Sequence, residues 1–121
     1  MADVMKTEGG RVLYIFSTWV PEDQLPEWNR WYTEVHLPDV VAQPQIRRAR
    51  RYRVVEDSRP AEWTPQYVTV YELDSLADFE SYRTGPVGTR LREDYAAHYG
   101  ATGKVSRQVL VEEADLTAGA E

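Results

Sequence analysis

The chain has 121 residues, enough for one domain with a hydrophobic core, and we expect that domain to span residues 1–121 with its core at about 11–112. Its net charge of −6 argues against a general nucleic-acid-binding protein. The absence of cysteine excludes disulfide bonds, thiolate nucleophiles and cysteine-ligated metals. Residues 1–10 show no signal-peptide pattern, and no apolar run approaches the roughly 20 residues of a membrane span. We therefore expect a cytoplasmic protein with no membrane partner.

Four short runs rich in β-branched and aromatic residues predict strands at residues 12–16, 46–55, 67–72 and 105–111. The first run is continuously apolar, which is typical of a strand covered on both faces. In the second run, alternation places Tyr52 and Val54 on one face and Ala49 on the other. Residues 1–10 are predicted to be a polar lead-in and residues 114–121 an acidic tail.

The first helix is predicted from about residue 25 to residue 36, because its apolar residues recur with the period of an amphipathic helix. Its heavy apolar face consists of Leu25, Trp28, Tyr32 and Val35, with Trp31 beside it. His36 falls at the edge of this face, where a side chain can contact both the core and a cavity. Pro38 disfavours the α conformation for the residue before it, so the helix should stop or kink there, and we expect Pro38 to mark its end.

Two further helices are predicted after the third strand. Ser75 is expected to cap the first of them, which ends at Gly85, and the second continues to about residue 99. The face of the second carries Leu91, Tyr95 and His98. The order βαββαβ predicts an α+β, ferredoxin-like sandwich. Because the helices cover only one face of the sheet, we expect a second copy of the chain to cover the other face in a homodimer.

A recognisable motif joins the first helix to the second strand. It consists of Trp28, Trp31, Tyr32, His36, Leu37, Pro38 and Asp39, followed by Pro44 and a basic strand at residues 47–52. This pattern resembles the EthD-like branch of the dimeric α+β barrel superfamily over roughly residues 11–112. The resemblance implies a homodimer whose sheets face each other, with a pocket between the sheet and the helices of each copy. Relatives include cyclases, isomerases, dehydratases, cofactor-free monooxygenases and haem enzymes, so the fold does not choose a reaction.

His36 is the first candidate catalytic residue, because histidine titrates near neutrality without help. The C-terminal end of the helix should favour its protonated form. Asp39, three residues on, is placed to orient it or to stabilise its charge. Such a pair beside an aromatic pocket suits general acid–base chemistry. The alternative is that both residues only fix the turn after the helix.

His98 is the second candidate, either as a pocket residue or as an axial haem ligand of the kind found in some relatives. A surface or capping role is the simpler interpretation. Neither histidine has a second histidine or a compact carboxylate cluster at ligand spacing, so we expect no zinc or calcium site.

The second strand carries five arginines on both of its faces, and some should pair with acidic residues across strands or across the dimer interface. Arg48 and Arg50 are the predicted ligands for a substrate carboxylate or enolate oxygen, through paired hydrogen bonds. The predicted substrate-binding set also contains Trp28, Trp31, Tyr32, Tyr52, Tyr67, Tyr71, Leu91, Tyr95 and His98. A tyrosine that faces the pocket is suited to donate a hydrogen bond to a developing oxyanion. The alternative for most of these aromatics is a place in the core.

These features together predict a cofactor-independent enzyme of the cyclase, isomerase, lyase or dehydratase type, in which His36 acts as acid and base. The expected substrate is small, apolar, and aromatic or polyketide-like. Two alternatives stay open. One is a ligand-binding or stress-associated barrel without catalysis, and the other is a haem or oxygen-using oxidoreductase.

Overall fold

The computed structural model describes residues 11–116 and 118. The predicted lead-in, residues 1–10, and positions 117 and 119–121 of the predicted tail lie outside the described residues. Four strands form one antiparallel sheet in the order β2-β3-β1-β4, with β1 at Val12–Trp19, β2 at Ile46–Arg53, β3 at Tyr67–Leu73 and β4 at Lys104–Val111. The helices are α1 (Leu25–Trp31), a π-helical turn (Tyr32–His36), α2 (Leu37–Val41), α3 (Leu76–Thr84) and α4 (Pro86–Tyr99). Short 3-10 turns occupy Glu22–Gln24 and Ala61–Trp63. The predicted βαββαβ order and ferredoxin-like fold are confirmed.

The two faces of the sheet differ in burial, as the pattern of β1 shows. Val12, Tyr14, Phe16 and Thr18 are buried, and the residues between them are only half-buried. The buried residues lie on the side that the helices cover, here called the helix-facing side. The other side is called the open face, and within the described chain nothing packs over it. The prediction that β1 is covered on both faces is therefore not met by a single copy.

The first helical run differs from the prediction, because it does not end at Pro38. Leu37 has α-helical dihedral angles of −59° and −47°, and Pro38 occupies the first turn of α2. The N–H of Leu37 donates to the carbonyl of Tyr32, five residues earlier. A π-helical turn is wider than an α turn, and proline is tolerated in the first turn of the helix that follows, where its missing N–H costs little. The helix therefore continues to Val41.

The wider turn also changes which residues point inward. Trp28, Tyr32, His36 and Val40, spaced four residues apart, are all buried. Val35, predicted to lie on the apolar face, is 48% exposed, and His36, predicted at its edge, is only 6% exposed. An α-helix of constant period would have rotated His36 away from the core. The π-helical turn corrects that rotation and carries the histidine into the interior.

The later helices follow the prediction closely. Ser75 caps α3, since its hydroxyl accepts a hydrogen bond from the Asp78 N–H at 3.1 Å. Gly85 separates α3 from α4, which begins at Pro86. Gly88 lets the two helices approach closely, because a Cβ there would lie 2.1 Å from the Tyr82 carbonyl oxygen. Helix α4 is thereby held against the core, and its buried residues include Leu91, Tyr95 and Tyr99.

Candidate active site

His36 lies at the centre of an aromatic cluster between the helices and the sheet. Its ring stacks on the indole of Trp31, with centroids 5.0 Å apart and an angle of 20° between the ring planes. Tyr32 and Tyr95 flank the imidazole at centroid distances of 5.0 Å and 5.8 Å. The helix register described above positions His36, and α4 supplies Tyr95. Three elements thus fix the orientation of the imidazole.

A small cavity borders His36. Its volume is about 20 Å³, and its walls come from β1, β3 and the helices: Tyr14, Phe16, His36, Val40, Tyr71, Tyr82, Leu91, Arg92 and Tyr95. A cavity of this size holds one or two water molecules. The cavity lies between sheet and helices, where the resemblance implied a pocket, but in this conformation it is too small for an aromatic substrate.

Burial determines the protonation state of His36. It lowers the pKa of the imidazole from its ordinary value of 6.5 to about 4, and the negative charges of Asp39 and Asp94 only partly oppose this effect. We expected the C-terminal end of the helix to favour the protonated form. That expectation is wrong, because the helix continues through α2 and because desolvation outweighs the neighbouring charges. His36 is therefore neutral at pH 7.

Asp39 is exposed on α2, and among the described residues no hydrogen bond joins it to the His36 ring. Its backbone carbonyl accepts a hydrogen bond from the side chain of Gln43 at 3.1 Å. The carboxylate acts on His36 through its charge alone, by opposing the fall in the pKa of the histidine. The predicted role of Asp39 in orienting the imidazole has no contact to support it.

Two buried tyrosine hydroxyls meet behind the cavity. The Tyr32 and Tyr71 oxygens are 2.9 Å apart, and one donates a hydrogen bond to the other. Burial raises the pKa of both phenols well above 10. Tyr82, in the cavity wall, also has its pKa raised by burial, to about 12. These hydroxyls therefore stay protonated at neutral pH and are available as hydrogen-bond donors.

Arg51 is the functional candidate that the sequence analysis did not select. Its guanidinium lies over the rings of Tyr67 and Trp28, with centroid distances of 4.1 Å and 4.8 Å, and 5.1 Å from the centroid of Tyr32. It also donates hydrogen bonds to Asn29 at 2.5 Å and Thr33 at 3.1 Å. Alternation places Arg51 on the same face as Ala49, but only the structure shows that the helices cover this face.

The residues that were predicted to bind substrate from β2 lie on the other side of the sheet. Arg48, Arg50 and Tyr52 pair with β3 on the open face and are exposed. None of them lines the His36 cavity. The prediction failed because the periodicity of a strand separates its two faces without saying which face the helices will cover. Of the pairings expected between the β2 arginines and acidic residues, the described part of the chain shows one: Arg47 contacts Asp74 at 3.0 Å.

The remaining predicted residues lie around the helix-facing side. Leu91 and Tyr95 line the cavity, and Tyr67 packs against Trp28 with ring centroids 5.5 Å apart. His98 is exposed and stacks on Trp31 at 4.6 Å. Its Nδ1 lies 2.8 Å from the carbonyl oxygen of Asp94, one helical turn earlier. This contact is typical of a surface histidine near a helix end.

A second, larger cleft of about 710 Å³ lies away from the histidines, at one end of the sheet. Trp19, Lys104, Thr64, Arg59 and Glu62 are among its lining residues. The cleft shares no residue with the His36 cavity, and its lining residues offer cations, a carboxylate and hydroxyls but no histidine. The chemistry therefore favours the smaller cavity as the candidate active site.

Among residues 11–116 and 118, no three histidine or acidic side chains gather as they would around a metal ion. None of the helices in the same part of the chain is long and apolar enough to cross a membrane.

The comparison with protein families gave one match. Residues 11–113 match the model described as a domain of unknown function, DUF4286. The chain belongs to this family. The comparison with curated proteins found no match.

Comparison with solved structures shows which known proteins share the fold of this chain. An EthD family protein from Bacillus halodurans has a TM-score of 0.66 and 13% identity, with 84% of this chain and 98% of that chain covered. SnoaB, a cofactor-independent oxygenase from Streptomyces nogalater, has a TM-score of 0.60 and 11% identity, covering 88% and 97%. Hydroxynitrile lyase from Passiflora edulis has a TM-score of 0.59 and 13% identity, covering 90% and 99%. The likeness to the EthD-like branch is thus confirmed as a likeness of fold, and proteins of this fold catalyse different reactions.

Proposed function

We propose that this protein is a cofactor-independent enzyme of the lyase, isomerase, dehydratase or cyclase type, with His36 as its acid–base residue. The observation that carries the proposal is the neutral imidazole of His36, buried and stacked on Trp31, at the wall of a cavity. A base must be unprotonated to accept a proton, and His36 is in that state at pH 7.

The surroundings of His36 suit a proton that is accepted and then returned. Burial disfavours the imidazolium, so a proton taken from the substrate is released readily to the product. Trp31 holds the ring in place by stacking, and the protonated Tyr32–Tyr71 pair supplies hydroxyl groups behind the cavity. Arg51 places a positive charge over the ring of Tyr32. These groups support proton transfer next to a group that gains negative charge.

The substrate is proposed to be small, mostly apolar, and aromatic or polyketide-like, because aromatic rings make up most of the cavity wall. A cavity of about 20 Å³ must open before such a molecule enters. Leu91 and Tyr95 lie on α4, so a shift of this helix away from α2 would enlarge the cavity. Ligand binding is therefore expected to be coupled to movement of α4.

Two alternatives each have an observation in their favour. The lack, among the described residues, of a hydrogen bond between Asp39 and the His36 ring favours a ligand-binding barrel that does not turn its ligand over. The likeness to a cofactor-independent oxygenase favours oxygenation of an aromatic substrate. Haem binding through His98 has less support, since this side chain is exposed and its ring is stacked on Trp31. An absorbance spectrum of the purified protein tests that option, because bound haem gives an intense Soret band.

The functional unit is proposed to be a homodimer in the cytosol. Leu13, Ile15, Val68 and Val70 are half-buried on the open face, and Leu110 is 44% exposed there. A continuous apolar surface of this kind is rarely left in water. A second copy that packs sheet to sheet would cover it.

Incubation of the protein with a panel of aromatic ketones, phenols and polyketide-like compounds tests the proposed function. Mass spectrometry of each mixture would detect an isomerised, dehydrated or cleaved product in air and under nitrogen. Turnover in both atmospheres supports the proposal, and turnover in air alone supports the oxygenase. Saturable binding without any product supports the binding barrel.

A further inference from the structure

Arg92 differs from the other residues that line the His36 cavity. The rest of the lining residues are buried, whereas Arg92, on α4, is only half-buried. Among the described residues of this wall, Arg92 alone carries a charge at pH 7, because His36 and the lining tyrosines are neutral there. Arg92 therefore marks the side on which the cavity approaches solvent, and a ligand that enters there meets a guanidinium.

The protein holds one end of the Arg92 guanidinium and leaves other donors of the group free. Its Nη2 donates to the carbonyl of Arg83 at 2.8 Å and to the hydroxyl of Thr89 at 3.4 Å. Within the described part of the chain, no acidic side chain forms an ion pair with Arg92. A guanidinium presents its donors in a planar fork that matches the two oxygens of a carboxylate. Arg92 is thus anchored in place and lacks an anion.

A second arginine adds positive charge at the same border of the cavity. The Arg107 guanidinium lies 5.0 Å from the centroid of the Phe16 ring, and Phe16 lines the cavity. Arg107 is exposed on β4 and likewise forms no ion pair with the described acidic residues. Burial raises the pKa of Tyr14, another lining residue, and the charges of Arg107 and Arg92 oppose that rise. The field at this border is positive although the net charge of the chain is −6, so it attracts an anion.

We propose that Arg92 binds the carboxylate of the substrate at the mouth of the His36 cavity, while Arg107 strengthens the attraction. This inference rests on the proposed function, and it specifies the substrate as an aromatic or polyketide-like carboxylate. Arg92 and His36 border one small cavity, so a molecule held by its carboxylate presents a nearby carbon to the imidazole. Arg92 thereby takes the role that the sequence analysis gave to Arg48 and Arg50.

Binding of 2-naphthoate tests this carboxylate site separately from catalysis, and 2-naphthamide is a neutral counterpart of nearly the same shape. In about 0.1 M salt, which screens distant charges, the wild-type protein should bind the acid saturably and at least about 10-fold more tightly than the amide. Arg92→Met should weaken binding of the acid about 10- to 100-fold, the loss expected for hydrogen bonds to a charged group. Its affinity for the amide should stay within about 2-fold.

Arg90→Met is the matched control for Arg92→Met. Arg90 lies on the same helix and undergoes the same change in charge, but it is exposed and does not line the cavity. The larger cleft is the competing site for an anion, because Lys104 is among its lining residues. Arg90→Met and Lys104→Met should therefore both bind 2-naphthoate within about 2-fold of the wild type. Binding that is lost in Lys104→Met and kept in Arg92→Met would overturn the proposal.

A second measurement keeps the test decisive if Arg92→Met folds poorly. Arg92→Lys keeps the charge and removes the fork, and the arginine Nε–H signal that is lost from its ¹⁵N spectrum belongs to Arg92. In the wild type, this signal should shift on titration with 2-naphthoate and stay in place with 2-naphthamide. No shift with the acid, or equal affinity of the wild type for acid and amide, would overturn the proposal.

Failure of the carboxylate site and failure of the proposed function give different results. His36→Gln should bind 2-naphthoate as the wild type does, because it leaves Arg92 in place. Binding that depends on Arg92, in a protein that turns over no compound, would support the carboxylate site and count against the enzyme. Turnover of neutral ketones by a wild-type protein that does not bind 2-naphthoate saturably would support the enzyme and overturn the carboxylate site.

Discussion

The imidazole of His36 lies nearly parallel to the indole of Trp31, with ring centroids 5.0 Å apart. This stacking removes the histidine from water and fixes its orientation in the absence of a carboxylate partner. The same burial that orients the ring lowers its pKa to about 4. Position and protonation state therefore have one physical cause, and several measurable consequences follow from it.

The stability of the protein should depend on pH through His36. The folded pKa of about 4 lies below the unfolded value of 6.5, so the unfolded state binds more protons between these values. Stability is therefore complete above about pH 6.5 and is lost as the pH falls towards 4. We expect His36 to make the free energy of unfolding about 2 kcal/mol smaller at pH 5 than at pH 7.5. Urea unfolding at the two pH values measures it.

His36→Gln is the control for this pH dependence, because glutamine does not titrate. The variant should lose about 2 kcal/mol less than the wild type between pH 7.5 and pH 5. NMR titration of the two histidines gives an independent reading, with one transition near pH 4. Equal pH dependence in wild type and variant would show that His36 is not the buried neutral group described here.

The register change caused by the π-helical turn predicts that two valines differ in their contribution to stability. Val40 is 2% exposed and Val35 is 48% exposed. Val40→Ala should lower the free energy of unfolding by about 2 kcal/mol, because it leaves a cavity in the core. Val35→Ala should change it by less than about 0.5 kcal/mol. Thermal or urea unfolding of both variants measures the difference. A larger loss of stability for Val35→Ala than for Val40→Ala would contradict the register set by the π-helical turn and support the regular helix expected from the sequence.

The sequence was sufficient for the fold, because alternation in strands, the Ser75 cap and the break at Gly85 are local signals. The register of the first helix, in contrast, could not be predicted from local signals of this kind. A constant period of 3.6 residues placed Val35 inside and His36 at the edge, and the π-helical turn reverses their positions. The spacing of the apolar residues does not predict a π-helical turn, although Pro38 marks the place where the regular helical pattern is disturbed.

Arg51 should matter for stability in a way that its neighbour Arg50 does not. Arg51 lies over the rings of Trp28 and Tyr67 and donates hydrogen bonds to Asn29, whereas Arg50 is exposed on the open face. We expect Arg51→Met to lower the free energy of unfolding by about 1–2 kcal/mol through lost cation–π contacts and hydrogen bonds. Arg50→Met, with the same change in charge, should stay within about 0.5 kcal/mol. Similar losses in both variants would contradict this assignment.

These two arginines also show why the candidate site was harder to infer than the fold. Their types and alternation were visible in the sequence, but the choice of face depends on which side of the sheet the helices pack against. That choice is made by tertiary contacts, such as those between Trp28 and Tyr67. The same limit applies to Tyr71, which meets Tyr32 only because the π-helical turn packs against the helix-facing side of the sheet.

Self-association through the open face is expected to be sensitive to charge. Leu110 on the open face and Leu76 on α3 have nearly equal exposure, 44% and 43%. Leu110→Lys should convert a dimer into a monomer, because the charge would be buried in the interface, and Leu76→Lys should leave the dimer intact. Sedimentation at micromolar concentration measures the mass. A wild-type monomer, or a dimer that survives Leu110→Lys, would contradict sheet-to-sheet association at this position.

The acid–base role of His36 is tested most directly by the turnover of His36→Gln, measured beside the wild type on a substrate found in the compound panel. Glutamine keeps the size and hydrogen bonding of the side chain and removes the base. We expect turnover to fall by on the order of 10²–10⁴ while the variant stays folded at pH 7.5. Asp39→Asn should lose less, because Asp39 acts on His36 only through its charge. Full turnover by well-folded His36→Gln protein would contradict the catalytic assignment and leave only a binding cavity.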